Sequence, residues 1–159
     1  ITESEKDLMT GLTLGEFSKK RVGLMKSQAH RCSYLAVRQL LAIAQYSDTD
    51  LTYLESGKPI LSDGVEISIT HSHDYAAIIL SEQPVGIDIE KQRAKITSIA
   101  PKFISKKEAE YLENADNEIE NLTTIWCVKE AIYKLFNTCQ NQKKSEHPKS
   151  IRKASFENF

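Results

Sequence analysis

The sequence predicts an α/β protein of the α+β type, with short, mostly antiparallel strands packed against helices. Three observations predict it. Residues 27–46 carry apolar side chains at helical spacing, residues 65–81 hold two strand-like runs around a polar tetrapeptide, and residues 121–136 repeat the helical pattern. Gly57 and Pro59 interrupt the chain between the first two.

In the first helix Ser27 is the candidate N-cap, and Ala29, Leu35, Val37, Leu40, Leu41 and Ala44 form the apolar side. The turn-rich stretch after it leads to "VEISIT", whose Val65, Ile67 and Ile69 share one strand face. "YAAIILS" is its antiparallel partner, which makes "HSHD", residues 71–74, the turn. "VGIDIE", residues 85–90, reads as a further strand with Val85, Ile87 and Ile89 on one face and Gly86, Asp88 and Glu90 on the other. Ser105 and Glu108 make an S-x-x-E capping box, with Ile104 placed to staple onto Ala109. In the last helix Ile125, Val128, Ile132 and Leu135 form the expected core stripe, and from Asn137 onward the chain is polar and poorly periodic. A boundary between two lobes, 1–83 and 84–159, falls at Gln83–Pro84.

With 159 residues, 40% hydrophobic and 27% charged, the chain can bury a core without disulfide staples. Its formal net charge of −1 asks for neither nucleic acid nor a membrane surface. Charge is uneven along the chain: residues 1–38 hold seven Lys or Arg against four acids, residues 103–122 two Lys against six acids, and the stretch from Cys139 onward five Lys or Arg against two acids. Solvated helix faces account for such segregation. Cys32, Cys127 and Cys139 show no C-x-x-C spacing, which argues against a disulfide framework or structural zinc and suits a reducing compartment. The expectation is a cytoplasmic, monomeric protein; because Ile1 is not Met, a segment is expected to have preceded it.

Asp88 and Glu90 stand together on one strand face. Like charges so close raise a pKa unless a cation neutralises them, and hard oxygen ligands suit Mg²⁺. A solvated edge is the plainer account of a D-x-E pair. Glu130 and Lys134 share a helix face opposite the apolar stripe, either as a surface ion pair or facing Asp88 and Glu90 across a cleft with Lys134 towards an anion. Arg31 and Arg38, seven apart on one helix, could fork a phosphate, with Lys26 and Lys58 as further cations. "THSHD" opens like the zinc motif T-H-x-H-x-D-H, but Tyr75 and Ala76 occupy its Asp and second His slots. A metal-dependent hydrolase using His71 and His73 therefore stays as an alternative.

In order, these pieces resemble the 4'-phosphopantetheinyl transferases. Gly86-Ile87-Asp88-Ile89-Glu90 matches G-[IV]-D-x-E, and Trp126-Cys127-Val128-Lys129-Glu130-Ala131-Ile132-Tyr133-Lys134 matches W-x-x-K-E-[AS]-x-x-K. Phe103 to Glu108 is one residue longer than the intervening F-[ST]-x-x-E. Ala29-His30-Arg31, Gly57-Lys58-Pro59 and Ser68-Ile69-Thr70-His71-Ser72 match the upstream signatures of the two-lobed, Sfp-type members. The chain departs from the pattern at Thr70, usually Ser, and after Phe136, where a Gly-Lys turn is replaced by "NTCQNQKKSEHPKS".

The resemblance implies two pseudo-symmetric lobes and transfer of the phosphopantetheine arm of coenzyme A to a serine of an apo acyl or peptidyl carrier protein, releasing 3',5'-ADP. It implies Mg²⁺, or Mn²⁺, on Asp88, Glu90 and Glu130, with Glu130 as base and Lys134 stabilising the leaving group. Lys58, Thr70 and His71 become phosphate or pantetheine contacts, and Lys26, Arg31 and Arg38 the clamp for the 3'-phosphate. Gly86 is read as keeping the floor open for the pyrophosphate. A non-catalytic coenzyme A or carrier-protein binding relative is the other reading, and a single-lobed, oligomeric enzyme is disfavoured by the Arg31 and Lys58 motifs.

Overall fold

Small polar residues set the helix starts. In the computed structural model, which describes residues 1–113 and 115–139, Ser4 caps helix α1 (Glu5–Met9) and Ser27 caps α3 (Gln28–Ile43). Ser105 caps α5 (Lys106–Leu112) in the expected box with Glu108. Helix α2 (Glu16–Leu24) lacks a side-chain cap of its own. Its Gly15 N–H instead donates to Asp48 Oδ2 at 2.8 Å, so a distant carboxylate does the capping.

Helix α3 is the spine because it is apolar on two sides. Val37 and Leu41 pack with Leu51, Leu61 and Ile67, while Leu35 and Ala36 pack with Leu8 and Leu14. Leu35 and Leu41 are fully buried, whereas the predicted core residue Ala29 is exposed in the first turn. Strands β1 (Leu51–Tyr53) and β2 (Pro59–Leu61) form one antiparallel hairpin, closed at Gly57 with φ +83°, a conformation that favours glycine. Strands β3 (Glu66–Ser72) and β4 (Tyr75–Ser81) form the second, in register from Glu66↔Ser81 to Ser72↔Tyr75. The turn is thus only His73–Asp74, not residues 71–74. The ladder runs on through His71 and Ser72, and His73 takes the left-handed φ of 53°.

The mixed helix and antiparallel-strand class is as expected, but two elements differ. Residues 85–90 run alongside β3 without a backbone ladder, because hydroxyls take the place of carbonyls. Ile87, Ile89 and Lys91 donate their N–H groups to Ser68 Oγ, Thr70 Oγ1 and Ser72 Oγ at 3.1, 3.2 and 3.1 Å. Among the described residues no strand follows Ser81.

The second difference is in helix α6 (Glu118–Cys139). Among its described side chains the buried ones are Leu122, Thr123 and Trp126, while Val128 and Ile132 of the expected core stripe are 51% and 39% exposed. The pattern misled because the inward face carries Glu130 and Lys134, leaving the apolar residues to the open side. The helix also runs past Asn137 to Cys139; the remainder of the expected polar tail and its basic charge lies outside the described residues. Helix α4 (Lys95–Ile99) packs on α6, and the Phe103 ring meets Trp126 edge-on with centroids 4.9 Å apart. Among the described residues no helix is long and apolar enough to cross a membrane.

Candidate active site

Gly86 decides where the site forms. A Cβ there would stand 2.0 Å from the Ala131 carbonyl oxygen and 2.9 Å from the Leu135 nitrogen. Glycine therefore lets residues 85–90 press directly on the α6 backbone, which corrects the expectation of an open floor beside the acids. The close approach brings Asp88 to Lys134, whose Nζ donates to Asp88 Oδ1 at 2.7 Å. The same ammonium donates to the carbonyls of Ile87 at 3.0 Å and Ile69 at 3.3 Å, bridging the segment and β3.

The motif around α6 divides by role. Lys129 faces away from the acids, donating to the Phe103 carbonyl and to Glu108 Oε2, so it clasps the capping box of α5 to α6. Trp126 packs on Phe103 beside that clasp. Glu130 and Lys134, on the other side, line a cavity of about 430 Å³.

One wall of that cavity is Asp88, Glu130, Tyr133 and Lys134; β3 contributes Ser68, Thr70 and His71, and the hairpin turn contributes Ser56, Gly57 and Lys58. Arg21, Tyr34, Arg38 and Tyr53 close the far side. Of the residues singled out from the sequence, Asp88, Glu130, Lys134, Lys58, Thr70, His71 and Arg38 thus meet around one space. Glu90 lies outside its lining, accepting from Ser72 Oγ at 2.7 Å.

The expected cationic clamp is not assembled. The Arg31 Nε donates to both Glu5 oxygens at 2.9 Å and its NH1 to the Met25 carbonyl, so it ties α1 to the start of α3. Arg38 is 3% exposed, with Nε on Asp48 Oδ1 at 3.0 Å and NH2 on the Tyr34 hydroxyl at 2.6 Å. Lys26 is exposed outside the cavity lining. The two arginines have different partners: one lies over α1, the other, at the edge of the cavity, pairs with a buried carboxylate. Asp48 also accepts from Ser18 Oγ and the Gly15 N–H, so Arg38 helps to hold α2 in place. That helix presents Arg21, which the sequence reading missed, over the Tyr34 and Tyr53 rings at 5.7 and 5.9 Å. Tyr34 precedes Arg38 by one helical turn, a spacing that could have revealed the pair.

Electrostatics set the carboxylates apart from ordinary surface acids. Desolvation, with Asp88 as the strongest like charge, raises the Glu130 pKa, and desolvation raises that of Glu90 against the Ser72 hydrogen bond. Burial and Asp88 push the Cys127 thiol up to about 12, so it stays protonated. His71 keeps an exposed edge, yet crowding by the wall lowers its pKa, with His30 and Lys134 acting in the same direction. The two histidines of the hydrolase alternative are separated in role: His71 lines the cavity, while His73 meets Lys91 at 2.9 Å in the turn.

These residues fit a hard divalent cation chemically. The Asp88 side chain is only 7% exposed, and its Oδ2 is buried without a hydrogen-bond partner among the described residues. Asp88 and Glu130 line the cavity with Glu90 outside it, a set of carboxylate oxygens of the kind that suits Mg²⁺ or Mn²⁺. As they stand, no three His, Cys, Asp or Glu among the described residues are grouped closely enough to enclose an ion.

Comparison with known proteins agrees with the motifs. The family model of the 4'-phosphopantetheinyl transferase superfamily matches residues 84–158. The 4'-phosphopantetheinyl transferase AcpT of Salmonella typhi is 32% identical over 130 residues, covering 77% of this chain and 68% of that protein. The 4'-phosphopantetheinyl transferase Sfp of Bacillus subtilis is 30% identical over 142 residues, covering 83% of this chain and 63% of that protein. A Haemophilus influenzae relative, named for the same transfer, is 30% identical over 119 residues, or 69% of this chain and 51% of that protein. The chain spans between about half and two thirds of the length of these curated relatives. On the extent of the AcpT match and the motifs at Gly86 and Trp126, this chain belongs to the 4'-phosphopantetheinyl transferase superfamily.

Proposed function

We propose that this chain transfers the 4'-phosphopantetheine arm of coenzyme A to a serine of an apo acyl or peptidyl carrier protein. The new bond joins the serine oxygen to the phosphorus that bears the pantetheine. The bond lost is the pyrophosphate bridge, 3',5'-ADP leaves, and the serine proton passes to a base. The observation that carries this reading is the buried, half-satisfied Asp88 beside Glu130 and Lys134 on one cavity wall.

Each residue has a share. Asp88, Glu90 and Glu130 would hold Mg²⁺ or Mn²⁺, which when bound supplies charge neutralisation for the pyrophosphate. Glu130, its pKa raised by burial and by Asp88, suits the role of proton acceptor in the cavity. Lys134 already donates to three acceptors, so it acts through its charge on the leaving group. Arg21, Lys58 and His71 supply the anion and pantetheine contacts, with Arg21 standing where the sequence reading placed Arg31 and Arg38. In this division residues 1–83 grip the cofactor and residues 84–159 supply the metal ligands and the base.

The test is mass spectrometry of an apo carrier protein incubated with this protein, coenzyme A and Mg²⁺. The expected result is one added phosphopantetheine arm on the acceptor serine, absent without the cation. Coenzyme A binding with no transfer to any class of carrier protein would contradict the proposal and favour the non-catalytic relative.

A further inference from the structure

The three hydroxyls of β3 face residues 85–91 in a register that never slips. Ser68, Thr70 and Ser72 are two residues apart, as are their N–H partners Ile87, Ile89 and Lys91. Strand geometry explains the step of two, since alternate side chains point to one face. Two of these hydroxyls are used twice. Thr70 Oγ1 accepts from the Ile89 N–H and donates to Asp88 Oδ1 at 3.1 Å. Ser72 Oγ accepts from the Lys91 N–H and donates to Glu90 Oε2 at 2.7 Å. Each hydroxyl therefore grips the acid and the amide that follows it. The corresponding slot at Ser68 is Gly86, where the α6 backbone leaves no room for any side chain.

We infer that Thr70 and Ser72 are positioning residues, which lock the two carboxylates in rotation and choose the oxygen each presents to a cation. Thr70 and Lys134 together occupy Asp88 Oδ1. That leaves the buried, unpartnered Oδ2 as the ligand atom. A hydroxyl suits this task where a main-chain carbonyl would not. It accepts from the backbone and donates to the carboxylate at once, whereas a carbonyl could only accept and would repel the acid. This assigns Thr70 a role other than the cofactor contact implied by the family pattern, and it rests on the reading of Asp88 and Glu90 as metal ligands.

The experiment is Mn²⁺ binding followed by electron paramagnetic resonance, on the full chain without coenzyme A. Thr70→Val keeps the shape and removes the hydroxyl; loss of such an outer partner is expected to weaken Mn²⁺ binding by about 10- to 100-fold. Thr70→Ser should restore most of the affinity. Ser72→Ala, at the open end of the strand, should also weaken binding and decides the matter if Thr70→Val fails to fold. Variants that melt at lower temperature yet bind Mn²⁺ as wild type does would overturn the inference and leave the metal reading standing. Wild type that binds no Mn²⁺ would overturn the metal reading, and the inference with it.

Discussion

Residues 1–83 and residues 84–139 are held by different forces. Ten of the twelve buried apolar side chains among the described residues lie in the first region, and both hydrophobic clusters are built there. The second contributes Leu122 and Trp126 and leaves Val128, Ile132 and Phe136 largely open. Polar contacts fasten it to the first: three hydroxyl rungs and the Lys134 bond to the Ile69 carbonyl, while the close backbone contact at Gly86 lies within the second region. Apolar burial makes a frame whose order is indifferent to charge. Polar fastening makes a site whose order depends on ionisation and on what it binds.

Breaking the frame should cost most. Leu41→Ala, at a fully buried position, is expected to lose roughly 2–5 kcal/mol in denaturant unfolding, with the whole chain affected together. Gly86→Ala instead disturbs the seating of residues 85–90 on α6 inside the second region, by forcing a Cβ into the Ala131 carbonyl, and should cost about 1–3 kcal/mol. Trp126, the single tryptophan, reports on α6, so its fluorescence should change at lower temperature than the circular dichroism of the frame. Coincident transitions would mean that the two regions are one cooperative unit.

A smaller effect is expected at the clasp inside the second region. Desolvation opposes ionisation of Glu108, but hydrogen bonds from Lys129 and Ser105 prevail and hold its pKa at about 2. The folded carboxyl is thus more acidic than the unfolded one, so its stabilisation is present above the unfolded value of 4.5 and fades as pH falls towards 2. Glu108→Gln should lose about 1–2 kcal/mol at pH 7, and the gap from wild type should close between pH 5 and 2. A gap independent of pH would show that charge contributes nothing there.

Glu130 should show the smallest effect and the opposite sign. Its pKa is raised, so the charged form is disfavoured by folding and stability falls as pH rises through the folded pKa. In metal-free protein Glu130→Gln should therefore be slightly more stable than wild type at pH 7, by a few tenths of a kcal/mol to about 1 kcal/mol, with the difference vanishing near pH 4. Denaturant midpoints at the two pH values measure it; a less stable variant at pH 7 would reverse the assignment.

The same contrast explains what could be read from the chain. The caps at Ser27 and Ser105, the β3–β4 hairpin and the meeting of Asp88, Glu130 and Lys134 were legible, because local pattern and motif spacing encode them. The α6 stripe was misread because apolar periodicity identifies a core face only when apolar burial does the holding. Gly86 was misread for a related reason: its missing side chain admits a helix backbone 45 or more residues away, which no local pattern announces. Arg31 and Arg38 share spacing but not partners, since Glu5 and Asp48 are brought to them by the packing of α1 and of the turn before β1.

Amide hydrogen exchange with and without Mg²⁺ tests the central claim most directly. If the carboxylates of the second region take a divalent cation that adds to the polar contacts fastening it, Mg²⁺ should slow exchange at Ile87, Ile89, Lys91 and the turns of α6 around Glu130. The amides of α3 and of the β3–β4 ladder should exchange at unchanged rates. Equal protection of both regions without the cation, and no change on adding it, would contradict the account.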